Sequence, residues 1–206
     1  MNCEEIVLPP VEVKRFQTEP ALQCLLHTII FNRSLHSKNL RPRDADCDIF
    51  DISYAQSDNK EVARKVTEGI RNFLKKMDET KIDKGVASIA FYTTKESQNF
   101  LMNIFGAREE KFYWEKWILP INIIDRKSAS TGTDDAQYQR QEILRESMAH
   151  IIKKVNEKRE HIPPIENNET TNRLGCFPFE IKYLKTDKSA WGSLIRTLKK
   201  GPPKLM

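Results

Sequence analysis

Apolar residues recur along this chain with two different periods, and the switches between them mark out its elements. From Gly85 to Tyr92 the period is two, which places Ala87, Ile89 and Phe91 on one side of a strand. From Trp114 to Ile124 the same period gives Trp117, Leu119, Ile121 and Ile123 a shared face. These two runs predict a central strand pair. Pro120 has no N–H to give a ladder, so an edge or a bulge is expected there. The connection from Thr93 to Tyr113 is too long for an ordinary hairpin loop, and such loops are usually functional or disordered. It carries Phe100, Leu101, Met102, Ile104 and Phe105, with no other element to bury them. A cluster of that kind is a patch, and a patch marks a contact. Phe100, Leu101, Ile104 and Phe105 are therefore the expected anchors of a contact loop, the alternative being that the loop folds back and buries them against the sheet edge at Pro120.

The helical period appears three times. Thr18-Glu19-Pro20 opens a helix whose stripe is Leu22, Leu25, Leu26, Ile29 and Ile30, running to about Arg33. Asp58 with Glu61 forms a capping-box-like start for a second, from about Asn59 to Met77, with Val62, Val66, Ile70, Phe73 and Met77 as its buried side. Thr133 or Asp134 caps the longest, which runs to about Arg159. Its expected buried face is Ala136, Ile143, Leu144, Met148, Ile151, Ile152 and Val155, and Pro163-Pro164 stops it. Between these lie weaker signals. Ile6 to Val13 alternates but is broken by Pro9-Pro10, so it predicts at most one short edge strand. Leu35 to Cys47 reads as a loop or a poorly formed hairpin. Cys47 to Tyr54 predicts a strand with Phe50, Ile52 and Tyr54 on one face. Ile165 to Gly175 is a polar link, and Phe177, Phe179, Ile181 and Tyr183 alternate as a further strand. Trp191, Leu194, Ile195 and Leu198 are spaced as a helical face, though so short a segment suits a strand equally. Three amphipathic helices and about five strands predict an α+β fold, with the helices on one face of an antiparallel sheet.

At 206 residues, with 39% hydrophobic and 31% charged residues, the chain is expected to form one folded domain over 1–206. No apolar run approaches the ~20 residues that cross a bilayer. Glu4 and Glu5 stand where a secretory signal needs basic residues. Cys3, Cys24, Cys47 and Cys176 show no framework spacing, so free thiols in a cytosolic or nuclear setting are expected. The net charge of +5 is unevenly spread. From Ile181 to Met206, seven basic residues stand against Asp187 alone, a local +6 that leaves the rest near −1. This basic C-terminal segment, 181–206, with Lys199, Lys200 and Lys204 near its end, suits an acidic partner, a lipid surface or nucleic acid.

Candidate chemistry is sparse. Cys24 and His27 lie three apart on the first helix, but no second pair completes a zinc set. A partly buried, hydrogen-bonded His27 is the better reading. The carboxylates of Asp44 to Asp51 lack the glycine and the terminal Glu of a calcium loop. Cys47 or Cys176 paired with a distant His has no local signature of a nucleophile. Seven glycines supply no phosphate-cradling loop. Trp114 and Trp117 read as core or edge aromatics of a strand. No cofactor and no enzymatic activity are expected.

Several short strings stand together in the order of one known family. They are Met1-Asn2-Cys3, Leu26-His27-Thr28 on the first helix, and Asp46-Cys47-Asp48-Ile49-Phe50-Asp51 at the start of a strand. Phe91-Tyr92 and Trp114-Glu115-Lys116-Trp117 follow, with the long helix from Asp134. Across nearly the whole chain these strings resemble the autophagy-related protein 101 family, the small HORMA-domain subunits of the autophagy-initiation kinase complex. The resemblance implies a HORMA fold held in an open-like topology, without a C-terminal safety belt that clamps a peptide. It implies a non-enzymatic scaffold that pairs with the HORMA domain of autophagy-related protein 13 and helps recruit downstream factors at the preautophagosomal structure in the cytoplasm. The family's exposed finger carries a Trp-Pro-Phe tip in the loop after Phe-Tyr. Here the matching segment is Ser97 to Leu101, and Asn99 stands where the Trp would be. The segment around Asp44, Asp46, Asp48 and Tyr54, together with the helix 134–159, is the expected contact with the HORMA partner. The basic tail would add peripheral contact with an anionic membrane.

Two rival readings differ in class. A HORMA-type adaptor of chromosome biology would trap a peptide with its C-terminal region, but little chain remains after Tyr183 to do so. A basic nucleic-acid-binding module built on the tail and Trp191 lacks the interleaved aromatics of single-strand binders, so no nucleic acid is expected.

Overall fold

The computed structural model describes residues 3–95, 110–124, 133–165 and 169–184. Its elements in chain order are β1 (Glu4–Val7), β2 (Val11–Val13), a 3-10 turn (Arg15–Gln17), α1 (Thr18–Arg33), β3 (Pro42–Cys47) and β4 (Ile52–Ser57). They continue with α2 (Lys60–Thr80), β5 (Lys84–Lys95), β6 (Glu110–Ile123), α3 (Thr133–Glu157), α4 (Glu169–Leu174) and β7 (Phe179–Leu184). The architecture is α+β.

The expected central pair is present and longer than its apolar runs. β5 and β6 are antiparallel, with Ile89 opposite Trp117 and Ala87 opposite Leu119, and β7 lies antiparallel on the other side of β5. The sheet is mixed rather than wholly antiparallel, because β1 and β2 both pair with β6 in parallel. A parallel neighbour needs a long crossover, and here most of the chain between β2 and β6 supplies it. The single edge strand expected over Ile6 to Val13 is two strands split by Pro9-Pro10, with the Leu8 N–H donating to the Ile118 carbonyl at the break.

Pro120 is on an interior strand, not on an edge or in a bulge. The Ile118 carbonyl and the Ile124 N–H both face β1 and β2, so by alternation the bare nitrogen of Pro120 faces the gap between them. The irregularity of this sheet lies elsewhere. Between Phe91 and Tyr92 the partner jumps from Glu115 to Tyr113, leaving Trp114 as an extra residue.

The hairpin also departs from expectation. Pro42 to Cys47 is a strand, and the residues read as the start of the next strand are its turn; pairing closes at Cys47 opposite Ile52. Asp51 sits at φ 48°, a left-handed position that Asp tolerates. Phe50 is buried beneath the turn, which is why the apolar alternation imitates a strand.

The helices follow their stripes with three corrections. α1 is buried on most of its circumference, as a helix between other helices must be. α2 buries the five residues expected, but its cap is Asn59, whose side chain accepts from the Glu61 and Val62 N–H groups. α3 buries Leu144, Ile151 and Val155 as expected but leaves Ile152 exposed, and Arg140 and Ser147 take inward positions. The link expected over Ile165 to Gly175 contains α4, closed by Gly175 at φ 63° whose N–H donates to the Thr171 carbonyl. Side chains of all three long helices join Ala87, Ile89, Phe91, Trp117, Leu119 and Ile121 in one core, so the helices cover one face of the sheet.

Candidate partner-binding surface

Two segments distant in the sequence meet at the hairpin turn. A four-residue turn leaves backbone carbonyls without ladder partners, and such groups need donors. Here α3 provides them. Gln137 Nε2 donates to the Ile49 carbonyl at 2.6 Å, and Arg145 Nη2 donates to the Asp51 carbonyl at 3.1 Å, with the Asp51 carboxylate 4.0 Å from the same guanidinium. Gln141 Nε2 reaches the Asp51 carbonyl at 3.5 Å. Positions 137, 141 and 145 are four apart and share one face of the helix. The row continues into the 3-10 turn, where Gln17 Nε2 donates to Gln137 Oε1 at 2.9 Å.

Beside the joining residues, each of the three elements carries an exposed apolar side chain. Phe16 is 65% exposed, Tyr138 62% and Ile49 37%. The hairpin adds acidity, since Asp44, Asp46 and Asp48 are all exposed. Ser53 Oγ donates to the Asp46 carboxylate at 2.6 Å. Tyr54 turns the other way and is half-buried, its ring 6.1 Å from that of His27, and burial pushes its hydroxyl up to about 12. The structure therefore joins the expected contact segment to the expected contact helix. Gln137, Gln141 and Arg145, which make the join, were not foreseen. Their four-residue spacing is visible in the sequence, but nothing there shows what they face.

Phe100, Leu101, Ile104 and Phe105 lie outside the described residues, as do Trp191, Lys199, Lys200 and Lys204. The strands that bear the long connection are clamped at its foot. Glu180 on β7 accepts from Lys111, Lys182 and the Tyr113 hydroxyl, and Lys111 lies 4.7 Å from the centre of the Tyr92 ring. Burial alone would raise the Glu180 carboxyl, but these hydrogen bonds outweigh it and hold it at about 2.

The other candidate groups are structural. His27 is buried, and its Nδ1 has no hydrogen-bond partner among the described residues. Burial lowers it to about 4. Cys24, Cys47 and Cys176 are buried free thiols, and burial raises Cys176 to about 12, which leaves it protonated and a poor nucleophile at neutral pH. Trp114 and Trp117 are both fully buried core residues. Among the described residues no group of His, Cys, Asp and Glu could hold a metal, and no helix is long and apolar enough to cross a membrane. The three joined elements thus expose apolar side chains, amides and carboxylates, groups that suit contact with another protein.

Comparison with known proteins gives one consistent result. The model of the family described as Autophagy-related protein 101 matches residues 10–169. Autophagy-related protein 101 of Arabidopsis thaliana is 31% identical, with 100% of both chains covered. The proteins of the same name from Homo sapiens and Xenopus tropicalis are each 26% identical, over 84% of this chain and 81% of theirs.

Proposed function

The chain belongs to the autophagy-related protein 101 family, and on that premise we propose that it is a non-enzymatic scaffold subunit of the autophagy-initiation kinase complex. In this reading it pairs with the HORMA domain of autophagy-related protein 13, stabilises it, and helps recruit downstream factors at the preautophagosomal structure in the cytoplasm. The observation that carries the reading is the match to the Arabidopsis relative along both chains. The fold is compatible with it: helices on one face of an antiparallel-dominated sheet suit a HORMA-like domain.

The pairing surface is the one built by the hairpin turn, the 3-10 turn and the start of α3. Ile49, Tyr138 and Phe16 are its apolar contacts, and Asp44, Asp46 and Asp48 give it an acidic border suited to basic groups on the partner. Recruitment belongs to the connection carrying Phe100, Leu101, Ile104 and Phe105. The tail lysines Lys199, Lys200 and Lys204 add attraction to an anionic membrane, about 1 kcal/mol per charge near the surface.

The test is co-expression of the full chain with the HORMA domain of autophagy-related protein 13, followed by size-exclusion chromatography and titration. A stable one-to-one complex is expected. Ile49→Asp combined with Tyr138→Asp should weaken it at least tenfold, since interface energy concentrates in a few anchors, while the melting temperature of the isolated chain stays unchanged. Failure of the wild-type chains to associate would overturn the pairing. Full affinity in the double variant would move the interface to another surface.

A further inference from the structure

A second surface lies where the C-terminal ends of α1 and α3 meet, and it takes no part in the reading above. A cleft of about 340 Å³ opens there, at the small end of the ~300–1,000 Å³ range of ligand-holding clefts. Val155, Ile162, Ile165 and Phe177 are among its walls, and Leu35 stands at its lip, 54% exposed. Pro163-Pro164 completes one side with backbone that has no N–H to offer. An exposed Leu beside an apolar recess is an unfilled contact.

The cleft is built rather than incidental. Arg33, fully buried, grips Glu115 through Nε at 2.8 Å and through Nη2, and its Nη1 donates to the Val155 carbonyl at 3.2 Å. His161 Nε2 lies 2.7 Å from the same carboxylate. This knot ties α1, β6, the last turn of α3 and the segment after it into one wall. A wall already fixed lowers the ordering cost of binding.

The charged groups at the cleft have one sign. Arg33 and Arg159 line it beside the imidazole of His36, and no carboxylate does. Glu115 neutralises Arg33, but Arg159 and His36 have no acidic partner among the described residues, and Arg159 Nη2 donates to the neutral Asn156 side chain. Two helix C-termini would ordinarily make this corner unfavourable for an anion. Here several end carbonyls are already occupied, that of Val155 by Arg33, that of Ile30 by Ser34 Oγ and that of Phe31 by the Ser34 N–H.

We propose that this cleft docks a short segment of a partner protein that carries one or two large apolar side chains beside carboxylates. The apolar groups enter between α1 and the segment after α3, under Leu35, and the acids pair with Arg159 and His36. The chain's own C-terminal segment, with a net +6 from Ile181 onward, has the wrong sign for this place.

The test uses a library of random short peptides displayed on phage, selected on the purified full chain. Enriched peptides are then synthesised and titrated by fluorescence anisotropy. The expected result is a motif of adjacent large apolar residues flanked by Asp or Glu, bound more weakly as salt is raised. Leu35→Asp should weaken it about tenfold or more, the loss of one anchor, and Arg159→Glu several-fold. Both are surface substitutions and should leave the melting temperature in place, while Phe16→Asp on the other surface should bind as wild type. Enrichment of basic or purely polar peptides, enrichment insensitive to Leu35→Asp and Arg159→Glu, or no enrichment at all would overturn the proposal. Tightened binding on deletion of residues 185–206 would identify the tail as the natural occupant and overturn it as well.

Discussion

Glu115 shows how much a single side chain decides here. Its carboxylate is fully buried, and its oxygens are met by Arg33, His161 and the Trp117 Nε1–H. A buried pair contributes little net stability, because desolvation offsets attraction, but removing one partner strands a charge and costs about 3–5 kcal/mol. Glu115→Gln should therefore lower unfolding free energy by about that much in urea titration. Arg33→Met combined with Glu115→Leu should recover most of the loss; if the double variant is as unstable as the single one, the penalty does not come from the stranded charge. Two other residues set the acid limit. Burial holds His27 at about 4 against an ordinary 6.5, so its neutral form is favoured by folding and stability is lost as pH falls from 6.5 through 4. Glu180 is held at about 2 against 4.5, so its contribution is present above 4.5 and fades as pH falls towards 2. Urea midpoints measured against pH should show both phases, with His27→Phe removing the first and Glu180→Gln the second. An unchanged profile in either variant would contradict its assignment.

Among the elements, α2 carries the most informative exception to its own pattern. Gly69 is a poor helix former, and Gly→Ala in an exposed helix interior normally gains about 1 kcal/mol. At this position α2 crosses β7, and a Cβ on residue 69 would lie 2.7 Å from Cβ and Cγ2 of Ile181. Gly69→Ala should accordingly destabilise, by about 1–3 kcal/mol as overpacking does, and thermal melting would register it directly. A gain in melting temperature would mean that the helix can shift away from the sheet. The bulge in β6 has a comparable reach. Trp114 lies off the face shared by Trp117, Leu119 and Ile121 in a regular strand, yet the extra residue turns it inward against Phe91 and Phe177, at ring separations of 5.5 and 4.8 Å. Glu115 keeps the phase of Trp117, so the period of two already marked it as inward-facing, a signal that its charge made easy to pass over.

For the whole molecule the question is which surfaces act together. In the proposed scaffold the pairing surface and the connection with Phe100 and Phe105 are separate functions. Phe100→Asp with Phe105→Asp should leave melting temperature and HORMA pairing intact while reducing autophagosome formation, scored by counting autophagosomes in complemented cells. A large fall in melting temperature would instead make those residues part of the core, and normal autophagy with a stable chain would remove them from recruitment. Much of this architecture was legible from residue order. The five-residue stripe of α2, the apolar helix α1 and the paired runs of β5 and β6 are consequences of local periodicity, since a buried face must repeat at 3.6 or 2 residues. The cleft and the pairing surface were legible only in part. Arg33 and Glu115 stand 82 residues apart, and Asp51 and Arg145 94 apart, and such contacts leave no repeat in the sequence to read. The parallel docking of β1 and β2, the bulge at Trp114 and the role of Gly69 belong to the same class. Periodicity states which side of an element is buried, because that is a property of a few neighbouring residues; what lies against it depends on how the whole chain closes, and only the tertiary structure holds that information.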